Sequence, residues 1–460
     1  MVGPKYSKPT VPIAPAFKEA PPASFKEGDG WKTAQPNDQA LRGNWWTMFQ
    51  DAQLDGLEAQ AEQANQTLRA ADANYRAARA AVMYARAGLK PTITTQPGIE
   101  VVHETIGRTT DGQLVKAGPG SFTLPVDLDW EIDLWGRLRR AVTSASELAE
   151  ASAADFENAR LSLHAELAID YFELRSADAQ EKLLDETIKA YVRALQLTQD
   201  RYEGGAAPKS DVTQARTQLD TARVQRTDVE VQRAQFEHAI AILTGKPPSE
   251  LSLPATPVTT LPPAIPDIPG VVPSQLLERR PDIASEERHM ASANEQIGIA
   301  KAAYYPVVGL GALGGFNAGS LLGWFTWPNR VWAVGPTLSE TLYDGGRRRA
   351  NSLIAVANYD AAVANYRQIA LTAFQQVEDN LAALRVLEIE SQQQKQATAS
   401  AQESLSLFQT RYEGGVDTYL QVVTWQTAAL QNERADIDLM RRRLDASVLL
   451  IKALGGGWHV

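Results

Sequence analysis

The sequence predicts an α+β membrane protein made of two internal repeats, each joining a β-hairpin to one very long helix. Three observations support this. Residues 201–205 (RYEGG) recur as residues 411–415, a period of about 210 residues. The segments 137–203 and 347–413 contain no glycine or proline. Residues 121–133 alternate between apolar and mostly acidic side chains, which is the period of a strand with two different faces.

The two glycine- and proline-free segments are predicted to be single helices. Both are rich in Ala, Leu, Gln, Glu and Arg, which favour helix, and each is followed by Gly-Gly, which favours a left-handed C-cap. At 1.5 Å per residue each helix would be roughly 100 Å long. A helix of that length cannot be buried in one globular core, so we expect it to pack along partners of similar length.

Four strands are predicted just before the long helices, over about 92–104 and 121–133 in the first repeat and about 305–315 and 331–342 in the second. In 121–133 the apolar positions are Phe122, Leu124, Val126, Leu128, Trp130 and Ile132. Strands of this length are long enough for a tilted membrane strand. Because soluble sandwiches also alternate, the pattern alone does not prove a membrane sheet.

Two further features favour the membrane interpretation. Aromatic residues cluster where interfacial girdles would lie: Trp130, Trp135, Tyr304, Tyr305 and Tyr343 on the helix side, and Trp324, Phe325 and Trp327 in the far loop. The connections 105–120 and 316–330 are long, as extracellular loops often are. Four strands cannot close a barrel, and a barrel of eight is filled by side chains. We therefore expect at least three subunits and twelve strands.

The remaining segments are assigned around this frame. Residues 1–43 are predicted to be an extended N-terminal segment, 44–244 the first repeat, 245–273 a proline-rich linker and 274–460 the second repeat. Further helices are expected over about 54–90, 208–244, 281–304 and 418–453. No run of about 18 apolar residues exists, so no transmembrane helix is expected.

Composition argues against several classes of function. The net charge of −10 does not suit nucleic-acid binding. The absence of cysteine removes thiolate metal sites and cysteine nucleophiles. The five histidines have no metal-ligand spacing: His103, His164, His238, His289 and His459. The match to a dinucleotide motif at Gly309, Gly311 and Gly314 is better explained by small residues in a strand. We expect no enzyme activity, no metal and no cofactor.

Two candidate sites follow from the residues. The first is the far end of the long helices, with Arg201, Tyr202, Asp211, Arg411, Tyr412, Asp417, Tyr419, Leu420 and Thr424. An Arg or Tyr there can bond an Asp on a neighbouring helix and hold a tunnel closed, although ordinary surface pairing is the simpler alternative. The second is the acidic strand face of Asp127, Asp129, Glu131 and Asp133. Lipid would penalise these groups, so we expect them to face a lumen and favour cations.

Several motifs together resemble the TolC-like outer membrane factors, in particular the lipid-anchored, NodT-type efflux branch. Residues 2–9 (VGPKYSKP) resemble the start of the mature proteins, residues 45–51 (WWTMFQD) the first-helix signature, and residues 278–283 (ERRPDI) the second-half signature. The resemblance covers essentially the whole chain. It places the turns at Gly204, Gly205, Gly414 and Gly415 at the tunnel tip, where the family contacts its adaptor.

This resemblance implies a homotrimer with a twelve-stranded barrel and twelve helical columns, located in the bacterial outer membrane and extending into the periplasm. Its implied partners are outer-membrane lipid, a periplasmic adaptor (membrane fusion) protein and an inner-membrane RND-type pump. Two departures stand out. The family's lipidated Cys is absent before Val2, where this chain has Met1, although we expect a native lipid anchor. The acid that often follows Leu420 by one turn is replaced by Thr424, so Asp417 and Asp211 become the nearest acidic candidates.

The expected function is therefore that of an outer-membrane channel subunit in a tripartite efflux pump, a passive conduit for drugs or other small molecules. The alternative within transport is the outer-membrane channel of a type I protein secretion system. An alternative of another class is a periplasmic adaptor or coiled-coil scaffold. An adaptor would have one helical hairpin between β-domains, and not two repeated halves.

Overall fold

The computed structural model describes residues 1–10, 17–19, 43–100, 105–108, 110, 114–116, 120–255 and 279–456. The chain divides into two compact units. Unit 1 contains residues 1–10, 74–152 and 285–367, and unit 2 contains residues 11–73, 153–284 and 368–460. Both predicted long helices contribute residues to each unit.

The strands of the described residues are β1 (Thr92–Thr95), β2 (Gly98–Glu100), β3 (Thr105–Arg108), β4 (Leu114–Lys116), β5 (Ser121–Ile132), β6 (Val307–Ala318) and β7 (Arg330–Ser339). The main sheet has the order β1, β5, β6, β7, with β2 also on β5. All its pairs are antiparallel. The central pair joins the two repeats, because β5 pairs with β6 along most of their length, from Phe122–Ala318 to Ile132–Val308.

The register of the sheet separates an apolar face from a small and polar face. One row across the sheet consists of Ile93, Leu128, Ala312 and Val334, and the next consists of Thr94, Asp127, Leu313 and Ala333. Since successive side chains of a strand point to opposite faces, these two rows lie on opposite faces. The alternation predicted for 121–133 is thus confirmed over β5. On the apolar face Trp332 is 75% exposed and Leu338 is 71% exposed.

Several predicted strand bounds were wrong. The strand predicted over 92–104 is divided into two short strands, β1 and β2, by a break around Pro97, a residue that has no amide hydrogen for the ladder. Residues 101–104 lie outside the described residues. The strands predicted at 121–133, 305–315 and 331–342 are β5, β6 and β7, and their ends differ from the prediction by at most three residues. The loop predicted over 105–120 contains the separate β3–β4 pair, and the 316–330 loop contains two short 3₁₀ turns.

The helices of the described residues are α1 (Ala52–Ala64), α2 (Gln66–Ala87), α3 (Arg137–Glu203), α4 (Lys209–Leu243), α5 (Pro281–Ala302), α6 (Arg347–Glu413) and α7 (Tyr419–Ala453). The long helices α3 and α6 have 67 residues each and the predicted bounds. The predictions over 208–244, 281–304 and 418–453 differ from α4, α5 and α7 by at most two residues at either end. Within the described part of the chain, none of the helices combines the length and apolarity that crossing a bilayer requires.

The single helix predicted over 54–90 is wrong, because it is interrupted at Asn65. This residue has an extended backbone, with ψ at 128°. Its side-chain amide donates to the carbonyl of Leu243 at 2.9 Å, and its side-chain oxygen accepts from the amide of Leu68 at 2.9 Å. Asn65 therefore caps a new helix, as Asn does at N-caps. The interruption makes α1 a separate helix of 13 residues.

The main core lies in unit 2. It contains the aromatic residues Trp45, Trp46 and Phe49 of a short 3₁₀ helix (Trp45–Phe49), together with buried side chains of α1, α3, α6 and α7. Leu174 of α3 is fully buried at the centre of this cluster. At about 1.5–3 kcal/mol for each buried large apolar side chain, the cluster is a main source of stability in unit 2.

In unit 1 the N-terminal residues lie along α5 and the first turn of α3. Lys8 forms an ion pair with Glu287 at 2.8 Å, and Arg140 bonds both Glu295 at 2.7 Å and the carbonyl of Pro4. A side chain at Gly298 would overlap Arg140, so the close contact requires glycine there. Residues 1–10 contain no helix or strand, as predicted for the extended segment 1–43; most of the rest of that segment lies outside the described residues.

The linker predicted over 245–273 is described only as far as residue 255. The predicted linker is not fully extended, because Pro248–Glu250 forms a short 3₁₀ turn. Proline at the start of such a turn is favourable because its φ angle is already set.

Candidate functional site

The turn after α3 stops the helix by backbone hydrogen bonds. The amide of Ala206 donates to the carbonyl of Arg201 at 2.8 Å, and the amide of Gly205 donates to that of Tyr202 at 3.0 Å. Gly205 has a φ of 71°, in the left-handed region that favours glycine. This is the Schellman arrangement, and it leaves the turn at Gly204 and Gly205 exposed.

The turn after α6 repeats this geometry. The amide of Val416 donates to the carbonyl of Arg411 at 2.9 Å, and that of Gly415 donates to Tyr412 at 3.0 Å. Gly415 has a φ of 74°, and Gly414 next to it is also exposed. The repeated pentapeptide is thus a repeated helix stop, and we call the two turns with their flanking helix ends the tip.

Within the tip, Arg201 connects the two repeats. Its guanidinium donates to the carbonyls of Tyr412 at 2.9 Å and Glu413 at 3.1 Å, and it lies 4.7 Å from the centre of the Tyr412 ring. Both carbonyls belong to the last turn of α6, where a cation is favoured by the helix dipole. Arg201 therefore joins the two repeats through backbone carbonyls and not through an Asp side chain.

Arg411 is not the mirror image of Arg201. Its guanidinium bonds Asp417 at 2.8 Å across the second turn, inside one repeat. The Arg411 side chain is 56% exposed, so solvent screens this pair. The predicted Arg–Asp bond therefore exists for Asp417 and spans a single turn. Asp211 forms no ion pair among the described residues, although it raises the pKa values of Tyr412 and Tyr419 as a secondary cause.

Two tyrosines form the interior of the tip. Tyr412 and Tyr419 are both nearly fully buried, and their ring centres are 5.2 Å apart. Burial raises the pKa of Tyr412 and raises that of Tyr419 to about 12, so neither ionises near neutral pH. They pack with Ala215 and Val422 in a small apolar cluster that joins α4 to α7.

The other predicted tip residues are on the surface. Tyr202 is 45% exposed and Leu420 is 56% exposed. The hydroxyl of Thr424 donates to the carbonyl of Leu420 at 2.9 Å, so it is bonded within its own helix. Exposure of Tyr202, Leu420 and Thr424 leaves them available to another molecule or another copy of the chain.

The acidic strand face is only partly as predicted. Asp127, Asp129 and Glu131 share one face of β5, beside Thr94, Thr92 and Gly309 respectively. Asp133 lies beyond the end of β5, which corrects its assignment to the strand. Two of the four carboxylates are also neutralised by nearby cations.

Those cations belong to the first turn of α3. Arg137 bonds Glu131 with two nitrogens, the shorter contact being 2.6 Å, and Arg139 bonds Asp133 at 3.1 Å. Asp127 and Asp129 have no ion-pair partner among the described residues. Of the four predicted carboxylates, Asp127 and Asp129 therefore remain without a neutralising cation from the described part of each chain.

The helix-side aromatics are tied to the backbone near the strand ends. The indole of Trp130 donates to the carbonyl of Leu89 at 3.0 Å, and that of Trp135 donates to Pro306 at 2.8 Å. Trp135 also stacks on Tyr305 with ring centres 4.7 Å apart. Tyr304 lies beneath the guanidinium of Arg348 at 5.5 Å. Tyr343, in contrast, is 89% exposed.

The far-loop aromatics form a group of their own. Trp324 and Phe325 stack with ring centres 5.0 Å apart, and Trp324 also meets Phe122 of β5. Trp327 is 74% exposed and lies 3.7 Å from the guanidinium of Arg330. These contacts join the loop to the nearby ends of the strands. The assignment of these aromatic residues to an interfacial girdle stays a prediction.

One buried polar cluster was missed by sequence reasoning. His164 of α3 contacts Glu58 and Glu62 of α1 through its two ring nitrogens, at 2.6 Å and 2.9 Å. The i, i+4 spacing of the two glutamates on α1 was the available signal, but nothing near them in the chain indicates the histidine. Among the residues that the structure describes, no group of His, Asp or Glu has a metal-binding arrangement.

Comparison with known proteins identifies the family. The family described as outer membrane efflux protein matches residues 57–246 and 272–456. The outer membrane protein OprJ of Pseudomonas aeruginosa is 31% identical over 99% of this chain and 93% of its own length. The toluene efflux pump outer membrane protein TtgF of Pseudomonas putida is 32% identical with the same coverage. The solved structure of the outer-membrane channel OprN is similar with a TM-score of 0.87, at 28% identity over 99% of both chains.

These similarities confirm the predicted α+β channel fold, the efflux function and the outer-membrane location extending into the periplasm. These similarities exclude the adaptor and scaffold alternatives. The names of the related proteins favour efflux over protein secretion. The chain is therefore a channel component and not an enzyme, and it belongs to the outer membrane efflux protein family.

Proposed function

We propose that three copies of this chain form the outer-membrane channel of a tripartite efflux pump and conduct small molecules passively out of the periplasm. The observation that carries this proposal is the sheet with two open edges, β1 with β2 at one edge and β7 at the other. Open edges with unpaired backbone groups cannot remain in a bilayer, where only closed barrels satisfy every strand. If β1 and β2, which both pair with β5, count as one strand position, each copy contributes four positions and three copies contribute twelve. A barrel of twelve strands is wide enough for a lumen.

Engineered cysteine pairs test this closure, since the chain has no cysteine of its own. Thr94→Cys on β1 is combined in turn with Ala333→Cys, Gly335→Cys or Thr337→Cys on β7 and oxidised in outer-membrane fractions. We expect one register to give cross-linked bands that end at three copies. Thr94→Cys alone is the control. A ladder that ends at two copies, or the absence of any cross-link, would contradict the proposal.

We further propose that the tip is the constriction of the conduit. The support is its repeat-to-repeat bond through Arg201 and its ion pair between Arg411 and Asp417. Conductance in planar bilayers tests the ion pair with the double variant Arg411→Ala, Asp417→Ala. We expect a higher mean conductance than in the unsubstituted channel. Unchanged conductance would exclude a gating role for this pair.

The proposed partners are a periplasmic adaptor at the tip and an inner-membrane RND-type pump that supplies the energy. The exposed glycine turns support this, because they present backbone at the ends of both helical hairpins. A photo-crosslinking amino acid at Ala206 or Val416 tests it in cells. We expect an adaptor-sized adduct from these positions, and none from a control at Arg223 on the side of α4.

The proposed cargo is a class of small apolar or amphipathic molecules, as the name of the related toluene efflux pump protein suggests for that protein. Deletion of the gene should increase sensitivity to such compounds, and complementation should restore resistance. Unchanged sensitivity to every small molecule, with loss of a secreted protein, would favour the protein secretion alternative.

We also propose that the native protein carries a lipid anchor in front of residue 2. In support, the amide of Val2 donates to the carbonyl of Trp135 at 3.0 Å, at the end of β5 where the helix-side aromatics lie. Labelling of the full natural gene product with an alkyne fatty acid tests this. Absence of label would refute the anchor and leave the channel proposal intact.

A further inference from the structure

His164 is held between two carboxylates in the interior of unit 2. Its Nδ1 lies 2.6 Å from Glu58 Oε2 and its Nε2 lies 2.9 Å from Glu62 Oε2. The His164 and Glu58 side chains are 3% and 0% exposed, whereas that of Glu62 is 35% exposed. These three side chains, which we call the Glu-His-Glu cluster, form one of the polar contacts between α3 and α1.

Both short contacts require a proton between the ring and a carboxylate. The cluster therefore holds two protons, either as an imidazolium between two carboxylates or as a neutral imidazole between a protonated and an ionised glutamate. The net charge is −1 in both cases. If one of these protons is lost, a ring lone pair faces a carboxylate and one of the two contacts becomes repulsive.

The surroundings indicate which carboxyl group holds the extra proton. Glu62 also accepts a hydrogen bond from the cationic side chain of Arg160 at 3.0 Å. Glu58 receives no such cation, and its second oxygen is buried with no hydrogen-bond partner among the described residues. Burial raises the pKa of Glu58 to about 7, against an ordinary value of 4.5. Glu58 is thus the neutral acid of the cluster near and below neutral pH.

The charged groups that face the cluster come from two helices. From α1 these are Glu58, Glu62 and Asp55, and from α3 they are Arg160 and Glu157. The 3₁₀ helix contributes Trp46, whose ring centre lies 4.2 Å from that of His164 and which carries no charge.

A cavity of about 20 Å³ adjoins the ring of His164 and is lined in part by Trp46 and Arg160. This volume is enough for one water molecule. The site can therefore exchange protons with solvent.

We propose that the Glu-His-Glu cluster is a pH-operated latch that fastens α1 to α3 near and below neutral pH and releases one of its two bonds in alkaline medium. The interruption at Asn65 allows α1 to respond to the loss of one bond, because α1 has only 13 residues and is not continuous with α2. Its docking depends on side-chain contacts with its neighbours. The periplasm follows the external pH, so the latch would report external alkalinity.

The sign of the pH dependence follows from the raised pKa of Glu58. A folded group that holds its proton more tightly than the unfolded chain contributes stability at low pH. This contribution is complete below about pH 4.5 and is lost as the pH rises through about 7. We therefore expect the latch to be closed at about pH 6 and open at about pH 8.5.

Hydrogen exchange of the intact channel in detergent tests the latch. Protection of residues 52–64, corrected for the intrinsic pH dependence of exchange, should fall about tenfold between about pH 6 and about pH 8.5, as expected for one charged hydrogen bond. Peptides from α4 should not change. Equal loss of protection in α1 and α4, or no loss in α1, would overturn the proposal without any variant.

Two variants sharpen the test. Glu58→Gln cannot ionise, so its α1 protection should be the same at both pH values. Glu181→Gln is the matched control, since Glu181 pairs with Arg226 at 2.6 Å near the surface and should leave the pH response intact. A full pH response in Glu58→Gln would assign the effect to another group and refute the latch. These outcomes are independent of whether the channel is trimeric or exports drugs.

Discussion

Arg201 offers the sharpest test of the tip, through the substitution Arg201→Met. The change removes two hydrogen bonds to the carbonyls of Tyr412 and Glu413 and the contact with the Tyr412 ring. It leaves the helix stop in place, because Ala206 bonds the backbone carbonyl of Arg201. Charged hydrogen bonds contribute about 1.5–3 kcal/mol when buried, and Arg201 is only half-buried. We therefore expect a total loss of about 1–2 kcal/mol.

This loss should appear as local opening of the second hairpin and not as global unfolding. A change of this size raises the population of the opened form by about 5–30-fold. Hydrogen exchange of the segment around Tyr412 should accelerate by that factor, and mean channel conductance in planar bilayers should rise. Arg216→Met is the matched control, because Arg216 is exposed on α4, near the same tip. Equal exchange and conductance in the two variants would refute the role assigned to Arg201.

Three further outcomes are expected. Gly415→Val should lower the melting temperature, because a β-branched residue in the left-handed conformation costs about 1–3 kcal/mol. Gly414→Ala should have almost no effect on the melting temperature. Equal melting temperatures of the two variants would contradict the helix-stop argument. Leu174→Ala should cost about 2–5 kcal/mol, measured by denaturation in detergent, because the side chain is fully buried. Asp127→Asn with Asp129→Asn should lower the preference for cations in reversal-potential measurements, and an unchanged potential would place these two carboxylates outside the ion path.

The long helices could be predicted from the sequence because their boundaries are local. Glycine and proline delimit α3 and α6, and the repeated pentapeptide marks both ends that stop at the tip. The alternation in β5 is also local, since it depends only on the period of a strand. For these elements the backbone chemistry of a few residues decides the structure, and no distant partner is needed.

Other features depend on partners far along the chain and could not be predicted. Asn65 caps α2 locally through the amide of Leu68, but its second bond goes to the carbonyl of Leu243, 178 positions later. The contacts of His164 with Glu58 and Glu62 cross about 100 positions. Arg201 pairs with backbone carbonyls, which every residue has, so no sequence pattern could identify them as its acceptors. In each case the sequence shows a polar side chain but does not show which distant group is its hydrogen-bond partner.

The packing of residues 1–10 in unit 1 has a consequence for the order of assembly. This segment is synthesised early, yet two of its partners, Glu287 and Gly298, are made nearly 300 residues later. Closing so long a loop is slow compared with forming a helix. The segment can bond Trp135 and Arg140 of the first repeat early, but its contacts with α5 must wait until the second repeat has been made. A chain truncated before α5 would lack the partners of Lys8 and Gly3, so its N-terminal segment would be held only by the first repeat.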